Sequence, residues 1–241
     1  MTYTQQSSSA ASPAIPALIR LLHVDKDYPT PNGPFRALSD VSLEIQTSEF
    51  VAVVGKSGAG KTTLINMITG VDHATGGEVL VGDTSVHRMN ETQISLWRGQ
   101  NLGVIFQSFH LLPGLSLLDN IMLPMDFCGL YRRRQSRERA MELLRQVELE
   151  GHASKLPAQI SGGQQQRVAI ARALANDPPV IVADEPTGRL DSLTAEAIFS
   201  IFEDLVRQGK TIVMVTHDHD LAQRVSRTLQ IVDGRVSPYG S

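Results

Sequence analysis

A glycine-rich string at residues 55–62, GKSGAGKT, places a lysine and a threonine directly after several small residues. Glycine has no Cβ, so backbone N–H groups in such a string can turn inward and close on a phosphate. Lys61 then offers a positive charge to β- and γ-phosphates, and the Thr62 hydroxyl offers a ligand to Mg²⁺. The string predicts a nucleotide-phosphate loop. Its residues are Gly55, Lys56, Ser57, Gly58, Ala59, Gly60, Lys61, Thr62 and Thr63.

A strand before this loop and a helix after it are needed to hold it. Residues 50–54, FVAVV, are apolar and rich in β-branched side chains, which is typical of a buried strand. After Lys61 the apolar residues recur at helical spacing, and Gly70 is a candidate C-cap. These apolar residues are Leu64, Met67, Ile68 and Val71. The order of strand, loop and helix favours a phosphate site over an ordinary glycine turn.

Three more apolar runs of strand length end in polar residues suited to hydrolysis. They lead into Asp184 and Glu185, into His217, and into Gln107. At the ends of parallel strands, Asp184 could hold Mg²⁺, and Glu185 could accept a proton from the attacking water. His217 could reach a γ-phosphate, and Gln107 could complete a metal shell or orient water. A structural role, such as loop capping by the two acids, is the alternative.

A second glycine-rich string, Ser161-Gly162-Gly163-Gln164, precedes another helical pattern. Its apolar face is formed by Val168, Ala171, Leu174 and Ala175. The start of this helix is another potential phosphate site, although the first loop already serves the chain's own nucleotide.

Together, these motifs resemble the nucleotide-binding subunits of ATP-binding cassette (ABC) transporters, over about residues 18–236. The resemblance implies that Tyr28 stacks on adenine, that Gln107 is the Q-loop residue, and that Asp191 is the D-loop aspartate. It also implies that Asp184 and Glu185 form the Walker B pair, with His217 as the switch histidine. Ser161, Gly162, Gly163 and Gln164 match the signature motif, which closes over ATP held by a second subunit. Ile160, Arg189 and Ala74 depart from the usual family residues, but none removes a catalytic group, so an active ATPase is expected.

The fold implied by the resemblance is α/β: a P-loop NTPase (RecA-like) core with an antiparallel β subdomain and an inserted α-helical subdomain. The core and β layer are expected at about residues 17–107 and 163–241, and the helical subdomain at about 108–162. Residues 1–16 are polar, lack the features of a secretory signal and are predicted to be a disordered tail. Alternation of Val41, Leu43 and Ile45 with polar residues predicts a half-buried strand.

The resemblance also implies partners. One is a second nucleotide-binding subunit, expected as a homodimer that pairs head-to-tail around two molecules of ATP with Mg²⁺. The other is an integral membrane permease subunit with an extracytoplasmic domain, because residues 104–124 and 160–178 are similar to the lipoprotein-releasing and macrolide-exporter group. The chain is then expected at the cytoplasmic face of the membrane as a peripheral protein, with Leu111, Leu112 and Leu115 touching the permease. An ABC ATPase for cell division or signalling, without cargo, is the alternative.

Composition limits the remaining possibilities. With 241 residues, 41% of them apolar, the chain is long enough for one substantial core. A net charge of −3 gives no reason to expect a nucleic-acid partner. A single cysteine, Cys128, excludes an internal disulfide and is expected to be inert packing. No apolar run reaches the length of a membrane span.

Other functional classes fit the motifs less well. A nucleotide kinase or GTPase has no use for the SGGQ string, and an ABC translation factor carries two cassettes. A DNA-repair or chromosome-organising ATPase needs a long coiled coil or a zinc insertion. A regulatory module without hydrolysis is disfavoured by Glu185 and His217. The five arginines between residues 132 and 139 fit a solvated helix face, with anionic lipid or an acidic partner as alternatives.

Overall fold

The computed structural model describes residues 17–240 and contains two β-sheets with helices packed on them. The predicted tail at residues 1–16 lies outside the described residues. The strands are β1 (Ala17–Tyr28), β2 (Phe35–Gln46), β3 (Phe50–Val54), β4 (Gly76–Val81), β5 (Thr84–Ser85), β6 (Leu102–Phe106), β7 (Val180–Asp184), β8 (Thr211–Val215), β9 (Arg227–Val232) and β10 (Arg235–Pro238). The helices are α1 (Lys61–Thr69), α2 (Glu91–Asn101), α3 (Leu117–Phe127), α4 (Arg133–Gln146), α5 (Gly162–Ala173), α6 (Ser192–Arg207) and α7 (His219–Ala222).

The larger sheet is the core that positions the predicted site. Its strand order is β10-β9-β3-β8-β7-β6, and β9, β3, β8, β7 and β6 run parallel to one another. Every residue of β3 and β8 is buried. These strands are continuous apolar runs because helices cover both faces of a parallel sheet. Their carboxyl ends lie at one edge, where Phe106 pairs with Asp184 and Asp184 pairs with Val215.

The smaller sheet is antiparallel between its neighbouring strands and has the order β2-β1-β4-β5. On β2, Val41, Leu43 and Ile45 are buried, while Ser42 and Glu44 are exposed. This confirms the predicted alternation. The buried side chains share an apolar cluster with Leu64 and Ile68 of α1 and with Val51 of β3, so this sheet packs against α1 and the larger sheet.

Helices α3, α4 and α5 pack together on the other side. Leu117 and Ile121 of α3, Leu143 and Leu144 of α4 and Val168 of α5 share one buried cluster. The expected helical subdomain therefore corresponds to α3 and α4 packed on α5. Helix α3 begins after Ser116, whose Oγ caps the helix by accepting a hydrogen bond from the Asp119 backbone N–H.

One element boundary differs from the prediction. Val71 was expected on the buried face of α1, but the helix ends at Thr69 and the Val71 side chain is exposed. Gly70 has φ 62°, a left-handed C-cap that turns the chain away from the helix axis. Within residues 17–240, no helix combines the length and apolar character that crossing a membrane requires.

Candidate active site

The loop between β3 and α1 is tightly packed at its glycines. Gly60 has φ 110°, and a Cβ there would lie 2.6 Å from the carbonyl oxygen of Ala37. A Cβ on Gly55 would lie 2.4 Å from the carbonyl oxygen of Ile231. Neither position leaves room for a Cβ, and the positive φ of Gly60 favours glycine there on conformational grounds as well. The backbone of the loop is therefore packed closely against β2 and β9 at these two glycines.

Lys61 folds back across this loop. Its Nζ donates hydrogen bonds to the carbonyl oxygens of Gly55 and Lys56, both at 2.9 Å. Lys56 takes part through its backbone, and its side chain points into solvent. A lysine ammonium held at the mouth of the loop is placed to meet an incoming phosphate.

The Thr62 hydroxyl donates to Oδ2 of Asp184 at 3.5 Å. Burial raises the pKa of Asp184, and the neighbouring Glu185 carboxylate raises it further, while Thr62 and Lys61 act in the opposite direction. This concentration of negative charge suits a divalent cation. Hydroxyl and carboxylate oxygens are the hard donors that Mg²⁺ prefers, so the residues present fit that ion.

Glu185 lies between the ends of two other strands. Gln107 Nε2, after β6, donates to Oε2 of Glu185 at 3.3 Å, and Nδ1 of His217, after β8, lies 3.4 Å from Oε1. Glu185 has φ +47°, a left-handed backbone that is unusual for glutamate and characteristic of functional turns. Gln107 and His217, predicted from the ends of two other strands, therefore both lie beside the carboxylate of Glu185.

An open cleft of about 330 Å³ joins the loop to these acids. Its lining residues are Tyr28, Phe35, Ala37, Ser57, Gly58, Gly60, Lys61, Thr62, Thr63, Asp184 and Glu185. Tyr28 and Phe35 are paired across the β1–β2 hairpin. Sequence reasoning missed Phe35, although an aromatic residue that opens the strand after a turn is a recognisable signal.

The Tyr28 hydroxyl donates to Oδ2 of Asp72 at 2.9 Å. Burial raises the pKa of the Tyr28 phenol, and the hydrogen bond to Asp72 adds to this shift. Asp72 in turn accepts a hydrogen bond from Lys26 at 2.6 Å. Lys26 and Asp72 were also missed, because a pair separated by 46 residues has no local sequence pattern.

The signature residues lie outside this cleft. Ser161 caps α5: its Oγ accepts from the Gln164 backbone N–H at 3.3 Å, and Gln164 Oε1 accepts from the Ser161 backbone N–H at 3.0 Å. Both Ser161 and Gly162 are exposed. The α5 N-terminus is therefore ordered by its own residues and presents free N–H groups to solvent.

Asp191 caps α6 beside it. Its Oδ1 accepts from the Thr194 backbone N–H at 3.0 Å, and the Thr194 hydroxyl donates to Oδ2 at 2.7 Å. These hydrogen bonds from Thr194 lower the pKa of Asp191. A Cβ on Gly163 would lie 2.4 Å from Cγ2 of Thr194, so the two helix starts are in direct contact.

Buried Gln166 connects α5 to the acidic turn, since its Nε2 donates to the Pro186 carbonyl oxygen at 2.8 Å. Sequence alone did not single out this residue, because a polar side chain in a helix usually faces solvent.

A phosphate loop on a parallel sheet, a Walker-type acidic pair and a second capped helix start with the SGGQ string together define an ATP-binding cassette. The chain belongs to the ABC transporter family: the family described as "ABC transporter" matches residues 38–188. Its cassette is an ATPase.

Relatives match nearly the whole chain. The ABC transporter ATP-binding protein YvrO of Bacillus subtilis is 41% identical over 91% of this chain and 95% of its own length. A macrolide export ATP-binding/permease protein, MacB, of Rhodospirillum rubrum is also 41% identical over 92% of this chain, but this is only 34% of its own length. A dimeric structure of the cassette MJ0796 of Methanocaldococcus jannaschii, in a post-hydrolysis state with ADP and phosphate, has a TM-score of 0.84 at 40% identity and covers 92% of this chain and 99% of that one.

Proposed function

We propose that this chain is the ATP-hydrolysing subunit of an ABC transporter that pairs head-to-tail around two Mg-ATP and drives a separate membrane subunit of the lipoprotein-releasing or macrolide-export type. The observation that carries the pairing is the location of Ser161. The start of α5 lies outside the cleft that contains Lys61 and Glu185. Its free N–H groups form a second phosphate-binding site that the chain's own cleft does not use. In a twofold pair, this site closes on the partner's nucleotide.

Within each cleft, the residues have separate tasks. The loop at residues 55–63 cradles the phosphates, Lys61 balances their charge and Tyr28 stacks on the adenine. Thr62, Asp184 and Gln107 would hold Mg²⁺, which would neutralise charge on the phosphate oxygens. Glu185 accepts the proton of the attacking water, while Gln107 and His217 keep its carboxylate in place. Closure by Ser161 to Gln164 and Asp191 of the second copy excludes water and strengthens these charge interactions.

The pairing is tested in a Glu185→Gln chain, which should retain ATP without consuming it. Analytical ultracentrifugation with and without ATP measures the dimer. Ser161→Ala should strongly reduce the ATP-dependent dimer. The matched control is Ser116→Ala, which removes the cap of α3 at a similar cost to the helix, about 1 kcal/mol, but should leave dimerisation intact. If Ser161→Ala and Ser116→Ala form the ATP-dependent dimer equally well, Ser161 is not part of the interface.

A groove of about 980 Å³ is the best candidate for the membrane subunit. It is lined by α2, β6, α3 and α5, with Leu96, Phe106, Leu123 and Phe127 giving it an apolar floor and rim. The exposure of Leu96 and Phe127 suits an amphipathic helix that lays its apolar face into the groove. Leu111, Leu112 and Leu115 do not line this groove. We therefore place the main contact with the membrane subunit on Leu96, Phe106, Leu123 and Phe127 instead.

Similarity to MacB proteins supports the proposed subgroup, and the proposed location depends on the membrane partner. MacB relatives combine ATP-binding and permease functions by name, and this chain matches about a third of their length. A permease on another polypeptide, with an extracytoplasmic domain, would place this chain at the cytoplasmic face of the membrane.

Affinity purification from detergent-solubilised membranes of the native host tests the partner. We expect one integral membrane polypeptide with a large extracytoplasmic domain to co-purify and to stimulate ATP hydrolysis. Leu96→Asp should abolish this association, whereas Leu22→Asp, on a similarly exposed leucine of β1, should not. If both variants still associate with the membrane polypeptide, the groove is not the site of contact. A cell-division partner without cargo would indicate the alternative function.

A further inference from the structure

Lys26 is an unusual buried cation. Only 7% of its surface is exposed, yet removing a lysine ammonium from water is costly. Its Nζ donates to Oδ1 of Asp72 at 2.6 Å and to the His73 carbonyl oxygen at 2.7 Å. The Asp72 side chain is 31% exposed, so only the lysine end of the pair is buried, and burying a lysine in this way rarely adds stability beyond what apolar side chains would supply. Its position in the fold therefore suggests another role.

The same pair holds the Tyr28 side chain from two directions. Asp72 accepts a hydrogen bond from the Tyr28 hydroxyl at 2.9 Å, and Lys26 Nζ lies 4.8 Å from the centroid of the Tyr28 ring. That distance is within cation–π range. Rotation of the ring would break the hydrogen bond or remove the ammonium from the ring face. The orientation of Tyr28 in the cleft is thus set before any ligand binds.

We propose that Lys26 and Asp72 are positioning residues that hold the Tyr28 ring ready to stack on the adenine base. This inference rests on the proposed function, in which Tyr28 contacts the base. A ring that is already fixed loses little rotational freedom on binding, so more of the stacking energy is available as affinity. The pair contacts the nucleotide only through Tyr28, and its effect should depend on the presence of a base.

A purely structural role would give a different result. Asp72 also accepts a hydrogen bond from the His73 backbone N–H at 2.7 Å, so its loss could loosen the turn after α1. Such loosening would alter the binding of any phosphate ligand. Comparing ATP with inorganic tripolyphosphate, which has the phosphates but no base, separates the two roles.

The experiment measures both dissociation constants by calorimetry, in the full chain with Glu185→Gln so that ATP is not consumed. Tyr28→Ala should weaken ATP binding at least about tenfold through lost base stacking. Asp72→Asn and Lys26→Met should each weaken ATP binding roughly three- to tenfold and leave tripolyphosphate binding within about twofold. In a Tyr28→Ala background, Asp72→Asn should have no further effect on ATP.

Two controls complete the design. Asp177→Asn breaks the Lys210–Asp177 pair, which has the same 2.6 Å separation as the Lys26–Asp72 pair. Asp177 lies before β7, at the opposite end of that strand from Asp184. This variant should change the dissociation constant of neither ATP nor tripolyphosphate. Tyr28→Phe removes only the hydroxyl held by Asp72 and should give a smaller, ATP-specific loss, even if the Asp72 variant does not fold.

The possible failures are distinguishable. If Tyr28→Ala weakens ATP binding but Asp72→Asn, Lys26→Met and Tyr28→Phe do not, the positioning role is wrong and the base contact stands. Equal losses for ATP and tripolyphosphate also overturn it. If Tyr28→Ala itself leaves ATP binding unchanged, the proposed base contact fails together with the inference.

Discussion

Nε2 of Gln107 donates a hydrogen bond to Oε2 of Glu185 at 3.3 Å, across 78 residues of sequence. The amide comes from the end of β6 and the carboxylate from the turn after β7, two adjacent parallel strands. Gln107 therefore supports the carboxylate that we propose as the general base.

Glu185→Gln should reduce ATP turnover by about 100-fold or more while ATP binding is retained, because the amide cannot accept the proton of the attacking water. Steady-state phosphate release and equilibrium ATP binding measure the two effects. Glu196→Gln, on an exposed carboxylate paired with Arg224, is the matched control and should leave turnover unchanged. Full turnover in Glu185→Gln would show that another group is the base.

Lys61→Ala should weaken ATP binding at least about tenfold, because its ammonium is the charge closest to the phosphate loop. Lys56→Ala should have little effect, since that residue contributes its carbonyl group and its side chain is exposed. Calorimetric titration of both variants with ATP compares two lysines of the same loop. If Lys61→Ala and Lys56→Ala lose ATP affinity to a similar extent, the positive charge of Lys61 acts without a specific geometry.

Asp184→Asn should stabilise the protein without ligand at neutral pH while abolishing Mg²⁺-dependent hydrolysis. The folded-state pKa of Asp184 is raised by burial and by Glu185, so ionisation of this carboxyl lowers stability as pH rises above its ordinary value of 3.8. The gain in Tm over the parent should therefore be present at pH 7 and vanish as pH falls to about 3. Thermal unfolding from pH 3 to 8 measures it. If the Tm difference between Asp184→Asn and the parent is the same at every pH from 3 to 8, the stabilisation comes from packing and not from removal of the charge.

Gly163→Ala should destabilise the chain by about 1–3 kcal/mol, because the new Cβ would overlap Thr194. Adding Thr194→Ser should restore most of this, since serine lacks the methyl group at 2.4 Å but keeps the hydroxyl that bonds Asp191. Gly162→Ala is the control: its Cβ would meet only the Phe109 ring, at 3.7 Å. Denaturant unfolding checks all three. If the second substitution gives no recovery, the two helix starts are not in the contact described.

Local patterns were sufficient for much of this fold. The β-branched runs at residues 50–54 and 180–183 are buried strands, and the glycine-rich segment before Lys61 connects β3 to α1, in the order that the sequence predicted. The strand ends identified Asp184, Glu185, Gln107 and His217, because parallel strands bring such residues to one edge.

Contacts between distant segments could not be read from the sequence. The Lys26–Asp72 pair, the Gly163–Thr194 contact and the Gln166–Pro186 hydrogen bond each join elements far apart in the chain. No local pattern marks a buried polar partner. The error at Val71 has a similar cause, because helical periodicity continues in the sequence after Gly70 has ended the helix.

The central claim is that each ATP is hydrolysed between two chains, with Glu185 from one and Ser161 from the other. It is tested most directly by mixing two variants, Glu185→Gln and Ser161→Arg, each expected to be nearly inactive alone. A head-to-tail pair of the two contains one intact site, so a 1:1 mixture should recover roughly a quarter of the parent ATPase rate. A mixture that never exceeds the summed activity of the separate variants would contradict the claim.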